Sequence, residues 1–165
     1  MGFRKSTALE LELFRGWSKV GRIEEETCRP VQDGKRIKNS SQLEVLTFTK
    51  EKYDEPLGRF IYFNHNPRNL SCEFGYIINP KYRARGFGTE MVQGGINYLF
   101  ADKDLGLNKL YRQTGEFNIS SIKILEKLGL HRDGILREHH ELDGKMWSDF
   151  IYSILKEEWI RKKQG

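Results

Sequence analysis

The sequence predicts an α/β (α+β) fold: a mixed, mostly antiparallel central sheet flanked by helices, with one parallel strand–helix–strand unit inside it. Three observations carry this expectation. Three strand-like runs between Leu43 and Asn79 are parted only by short turns, the apolar period becomes helical after Pro80, and the chain returns to paired strands around Asp143-Gly144. At 165 residues the chain is sized for a single domain, and no repeat or low-complexity linker divides it.

The first forty residues are the least regular. Leu9, Leu13, Trp17 and Val20 are spaced for one helical face, although Leu9 to Leu13 also alternates as a strand would; a helix is the expectation. Residues 29–42 are polar with turn formers and read as a loop. The strand candidates that follow are Leu43 to Thr49, Leu57 to Asn64 and Ser71 to Asn79. Connections as short as Asp54-Glu55-Pro56 and Asn64-His65-Asn66-Pro67 cannot cross over to a parallel partner, so these runs form an antiparallel meander.

After Pro80, the stripe Met91, Val92, Ile96, Leu99 and Phe100 marks a helix that runs out near Asp104 to Gly106. Its Gly94-Gly95 pair costs roughly 1 kcal/mol per residue relative to alanine and suggests close packing on the sheet. Lys109 to Phe117 is the next strand, parallel to the one before the helix and joined to it right-handedly. Asn118 is suited to cap a helix whose apolar face holds Ile122, Leu125 and Leu128 and whose end is marked by Gly129. His131 to Leu142 and Lys145 to Leu155 form a hairpin whose Asp-Gly pair suits a type I′ turn, and a charged helix follows from Lys156.

Composition narrows the function. The 38% apolar residues suffice for a core, 31% are charged, and no apolar run approaches the roughly 20 residues that cross a bilayer. The start Met1-Gly2-Phe3-Arg4-Lys5 lacks a signal peptide's apolar segment, so a cytoplasmic location without a membrane partner is expected. Cys28 and Cys72 stand far apart without a Cys/His cluster, which points to neither a disulfide framework nor a metal site. A net charge of +5 favours an anionic partner, but the basic residues are interleaved with acidic ones, which makes nucleic acid unlikely and a phosphate-bearing small molecule a good fit.

Tyr82-Arg83-Ala84-Arg85-Gly86-Phe87-Gly88-Thr89-Glu90 lies where a strand gives way to a helix. Two glycines in three residues let the backbone turn and expose successive N–H groups, and the oncoming helix adds the positive end of its dipole. Arg83 and Arg85 supply charge for a diphosphate, and Thr89 a hydroxyl. Neither the P-loop spacing nor the three-glycine dinucleotide fingerprint is present, and a glycine turn with two solvated arginines is the plainer alternative.

Arg83-x-x-Gly86-x-Gly88 resembles the Arg/Gln-x-x-Gly-x-Gly/Ala pyrophosphate loop of the GNAT superfamily of N-acetyltransferases. Cys72 to Pro80 resembles the strand before that loop, while Asn118 to Leu130 and Leu142 to Trp159 resemble later blocks of its RimJ/RimL-like branch. The likeness covers roughly residues 43–160 in order and spacing. It implies a single acetyltransferase domain over 1–165 with a shortened or atypical part at 1–42, acetyl-CoA as cofactor, and transfer to a primary amine in a ternary complex. Acceptors in that branch include protein N-termini, polyamines and other small amines, so the implied partner is a small-molecule or peptide amine; a homodimer stays open.

The resemblance also assigns residues. The pantetheine arm would pair with the backbone of Tyr76, Ile77 and Ile78, with the Ile78 N–H as oxyanion donor, while residues 83–89 (Arg83, Ala84, Arg85, Gly86, Phe87, Gly88, Thr89) take the phosphates. Asn118 would cap its helix and bond the pantetheine, and Ser121 would stand near the sulfur as the catalytic thiolate partner or proton donor, although a first-turn serine also commonly satisfies its own backbone. Glu73 is the candidate base, with a solvent-facing strand glutamate as the equal alternative. Leu125 occupies the place where many members carry a tyrosine acid. His139 and His140 read as an exposed hairpin edge rather than a second base. The rivals of another class are a catalytically weak acyl-CoA-binding module, and a phosphate- or RNA-binding protein that uses the basic loop alone.

Overall fold

The computed structural model describes residues 2–18 and 44–164. These form one seven-stranded sheet with four α-helices. In chain order the elements are β1 (Gly2–Lys5), α1 (Ala8–Ser18), β2 (Glu44–Thr49), β3 (Gly58–Asn66), β4 (Ser71–Ile78), a 3-10 turn (Pro80–Tyr82), α2 (Phe87–Ala101), β5 (Lys109–Gly115), α3 (Ile119–Lys127), β6 (His131–Leu142), β7 (Lys145–Leu155) and α4 (Lys156–Gln164). The strand order is β1-β2-β3-β4-β5-β7-β6, and only β4 and β5 run parallel. The expected mixed sheet, its meander and its parallel unit are all present.

β1 was not foreseen. It has one inward side chain, Phe3, set among charged neighbours, which is too little pattern to read. Phe3 pairs opposite Phe48, and its ring lies 5.3 Å from that of Phe48 and 6.0 Å from that of Phe60. α1 is the expected helix, turned about its axis from the expected face. Leu9 is 83% exposed, whereas Phe14 and Trp17 are buried, their rings 4.8 Å apart. The cause is polar. Thr7 and Glu10 form a capping box, in which the Thr7 N–H donates to Glu10 at 2.9 Å and the Glu10 N–H donates to Thr7 Oγ1 at 3.3 Å. Arg4 and Thr47 also donate to that carboxylate, which pulls Glu10 inward and carries Phe14 and Trp17 with it. Val20, Cys28 and the loop expected over 29–42 lie outside the described residues.

The core lies between α2 and one face of the sheet, where Met91, Ile96 and Leu99 meet Phe60, Phe74 and Leu110. Gly95 permits this approach, since a Cβ there would come within 2.4 Å of the buried Phe60 ring. The β6–β7 hairpin turns through Asp143 (φ 57°) and Gly144 (φ 70°), both left-handed as a type I′ turn requires. The expectation of an exposed edge for both histidines is corrected. An irregularity between Leu136 and His140, with Glu138 at φ 49°, leaves His139 exposed and buries His140 against Phe117, its Nδ1 3.5 Å from Asp149.

Glu10 generates a pH prediction. Burial alone would raise its carboxyl, but hydrogen bonds from Arg4, Thr7 and Thr47 outweigh this and hold it at about 2 against an ordinary 4.5. A depressed carboxyl stabilises the fold above its ordinary value, and that contribution is lost as pH falls from there toward about 2. Urea titrations of wild type and Glu10→Gln at pH 6 and pH 3 are expected to show a stability gap that narrows at the lower pH. An equal gap at both would contradict the assignment.

Candidate active site between the splayed strands

β4 and β5 pair through only three residues, Ser71↔Lys109, Cys72↔Leu110 and Glu73↔Tyr111. Beyond that point β4 stays with β3 as far as Ile78, while β5 stays with β7 as far as Gly115. The two parallel strands therefore part, and a cleft of about 700 Å³ opens between them, reaching from Glu73 at the fork to the loop before α2. The Phe74 carbonyl accepts a long hydrogen bond (3.4 Å) from Arg112 on β5, so it points into the fork. Backbone groups alternate along a strand, which turns the N–H and C=O of Tyr76 and Ile78 to the same open side.

The loop's geometry follows from its sequence. Asn79 caps the 3-10 turn by accepting from the Lys81 N–H at 3.1 Å, and the buried Tyr82 donates its hydroxyl to Glu55 at 2.7 Å. Arg83 is extended, Ala84 is left-handed at φ 58° and Gly86 left-handed at φ 84°. A non-glycine residue held in that region costs about 1 kcal/mol or more, and such alternation curls successive amides around a concavity. Gly86 caps α2 without a side-chain bond, so the N–H groups of Phe87, Gly88 and Thr89 precede the first intrahelical bond, from the Glu90 N–H to the Gly86 carbonyl. A Cβ on Gly86 would stand in open space, whereas one on Gly88 would come within 2.7 Å of Ile124 on α3. One glycine keeps the cradle open and the other lets two helices close behind it.

Most of the expected residues converge. Glu73, Tyr76, Ile77, Ile78, Arg83, Ala84, Gly86, Phe87, Gly88, Thr89, Asn118 and Ser121 all line the cleft. Arg85 does not; its guanidinium lies 5.5 Å from the centroid of the Tyr82 ring, outside the cleft wall. Lys123, on the exposed face of α3, supplies a second cation beside Arg83.

Glu73 is half-buried at the fork, on the face of β4 that also carries Gly75 and Ile77, and accepts from Asn64 Nδ2 at 2.8 Å. It is not a freely solvated strand glutamate. On the other face, Ser121 is almost wholly buried; its N–H donates to Asn118 Oδ1 at 3.1 Å, and its Oγ stands 3.1 Å from the Tyr76 hydroxyl. Leu125 is buried in the core and carries no proton to give. Arg112, absent from the sequence reading, crosses the fork with its Nε 3.4 Å from Ser121 Oγ and its guanidinium 4.3 Å from the Tyr76 ring centroid. Gln113, whose amide donates to the buried Asp149 at 2.7 Å, lines the same cleft. Among the described residues, no group of three or more His, Cys, Asp or Glu could hold a metal ion, and no helix is long and apolar enough to cross a membrane.

Residues 12–131 match the acetyltransferase (GNAT) domain family, more than half of the chain. Among similar curated proteins, the uncharacterized N-acetyltransferase YnaD of Bacillus subtilis is 26% identical over 103 residues, covering 62% of this chain and 59% of that one. The uncharacterized N-acetyltransferase p20 of Bacillus licheniformis is 30% identical over 106 residues, covering 64% and 58%. The chain thus spans less than two thirds of the length of these relatives. A solved spermidine N-acetyltransferase from Vibrio cholerae, in complex with CoA and spermine, superposes with a TM-score of 0.83 over 96% of this chain and 97% of that one at 18% identity, a likeness of fold.

Asn118 offers a direct check on the wall of the cleft. Asn118→Ala removes the acceptor for the Ser121 N–H and is expected to cost about 1 kcal/mol in urea denaturation, as lost N-caps do. Undiminished stability would mean that α3 is held in place by other means.

Proposed function

The chain belongs to the GNAT acetyltransferase family, and from that premise we propose that it transfers the acetyl group of acetyl-CoA to a primary amine in a single ternary complex. The observation that carries the proposal is the divergence of β4 from β5 directly above a loop of unfilled amides. A peptide-like arm needs an unpaired strand edge, and a diphosphate needs N–H donors with cations beside them. Both stand in one cleft, and the open space at Gly86 admits a phosphate.

Acetyl-CoA bound there supplies an activated thioester carbonyl. The chain's own residues would do the rest. The amides of Phe87, Gly88 and Thr89 would bind the pyrophosphate, with Arg83 and Lys123 balancing its charge. The backbone of Tyr76 to Ile78 would hold the pantetheine, with Asn118 as a further partner, and the Ile78 N–H would donate to the carbonyl oxygen as negative charge develops on it. Glu73, steadied by Asn64, would take the proton from the attacking amine at a carboxylate oxygen. Ser121 Oγ would face the departing sulfur. Arg85, outside the cleft, would act on the phosphates only through the surrounding field.

The RimJ/RimL-like branch is part of this proposal, supported by the blocks Asn118 to Leu130 and Leu142 to Trp159. So are one acetyltransferase domain over 1–165, a cytoplasmic location, and an acceptor that is a small-molecule or peptide amine; the spermine held by the Vibrio cholerae structure is one example of such an amine. Leu125 in the place of an acid gives the acyl-CoA-binding module a specific observation in its favour. Binding without turnover would identify it.

Two variants test the reading. Gly86→Val places a branched side chain at φ 84° in the open cradle, and calorimetry with CoA is expected to show affinity lowered about a hundredfold or more, the cost of roughly two good hydrogen bonds to charged groups. Unchanged affinity would reject the cradle. Glu73→Gln is expected to bind CoA as wild type does while CoA release with a panel of amines falls by about 10²–10⁴. Wild-type release no faster than buffer would reject catalysis.

A further inference from the structure

We infer that Tyr76 is the proton donor to the leaving sulfur, with Ser121 and Arg112 as its positioning residues; this rests on the acetyl-transfer reading above. The sequence leads to the expectation that the Tyr76 backbone holds the pantetheine. Its side chain is the more informative part. On β4 it turns to the face opposite Glu73, lines the cleft, and brings its hydroxyl to 3.1 Å from Ser121 Oγ.

Chemistry fixes one of the two hydrogen-bond directions here. The Arg112 guanidinium can only donate, so its Nε takes up a lone pair of Ser121 Oγ at 3.4 Å. Ser121 Oγ keeps a second lone pair and one proton, so either hydroxyl of the pair can donate to the other; we take the arrangement in which the serine donates to the tyrosine oxygen. That leaves the Tyr76 O–H proton directed away from Ser121 and into the cleft. Arg112 also lies over the Tyr76 ring, 4.3 Å from its centroid, and its other end bonds the Phe74 carbonyl at 3.4 Å. A cation fixed at both ends beside a phenol steadies the phenolate that forms when the proton leaves, and any thiolate next to it. Leu125 leaves α3 without an acid at the place where many members of the family carry one, while the Tyr76 hydroxyl meets α3 one turn earlier, at Ser121.

The step balances. The amine nitrogen bonds to the carbonyl carbon, the carbon–sulfur bond breaks with its electron pair on sulfur, and the Tyr76 proton goes to that sulfur. The amine's surplus proton goes to Glu73 and, through solvent, restores Tyr76. The charged groups that line the cleft are Arg59 from β3, Glu73 from the fork of β4, Arg83 from the loop, Arg112 from β5 and Lys123 from α3.

The test compares CoA with desulfo-CoA, which differ by the sulfur alone, by calorimetry on the full chain between pH 6.5 and 9.5. Wild type is expected to prefer CoA, increasingly so as the thiol ionises. In Tyr76→Phe the preference at the highest pH is expected to drop roughly ten- to hundredfold, the worth of a hydrogen bond to a charged group, while desulfo-CoA affinity stays put and reports an intact cleft. Ser121→Ala, which keeps the donor and loses its orientation, is expected to drop less. An unchanged preference in Tyr76→Phe, or a preference lost in Ser121→Ala but kept in Tyr76→Phe, would overturn the inference and leave acetyl transfer standing. Failure of wild type to bind either ligand would overturn both.

Discussion

The fork between β4 and β5 is the constraint on which the site depends. A parallel pair normally continues as long as both strands do, yet this one stops at Glu73 and Tyr111 because each strand has a stronger commitment on its other side. β5 runs seven residues against β7, and β4 is paired with β3 to its last residue. Two antiparallel ladders that twist apart leave a wedge, and backbone groups at its rim must find partners other than each other. Arg112 reaches across to one of them, and others line the cleft.

The helices are fitted to that wedge by missing side chains. Gly95 lets α2 lie on Phe60, and Gly88 lets its first turn approach Ile124 on α3. These contacts bring the amide end of α2 to the open end of the fork, in line with the free edge of β4. The helix propensity lost at the glycines is offset by the burial that close packing permits. Ala84 carries a similar cost in the loop, where a non-glycine residue is held in the left-handed region.

Much of this was legible beforehand, and particular residues show why. The meander, the helix after Pro80 and the Asp143-Gly144 turn announce themselves through local period and turn chemistry, which need no knowledge of distant neighbours. The bend of backbone ahead of α2 was legible because two glycines in three residues stand where a strand gives way to a helix. What escaped notice depends on contacts far apart in sequence. The buried face of α1 is set by Arg4 and Thr47 acting on Glu10 rather than by its leucines. The inward turn of His140 depends on an irregularity in pairing, and the positions of Arg112 and the Tyr76 hydroxyl depend on a meeting of β4, β5 and α3. The position of Arg85 over the Tyr82 ring was likewise not legible from its spacing.

Amide hydrogen exchange with and without CoA measures the central claim most directly, because it asks whether the ligand takes up the backbone that the fork and the loop leave open. The account predicts slower exchange concentrated at Tyr76, Ile78 and residues 87–89, with the β6–β7 hairpin unchanged. Protection spread over other elements, or none at the fork when CoA is in saturating excess, would contradict it.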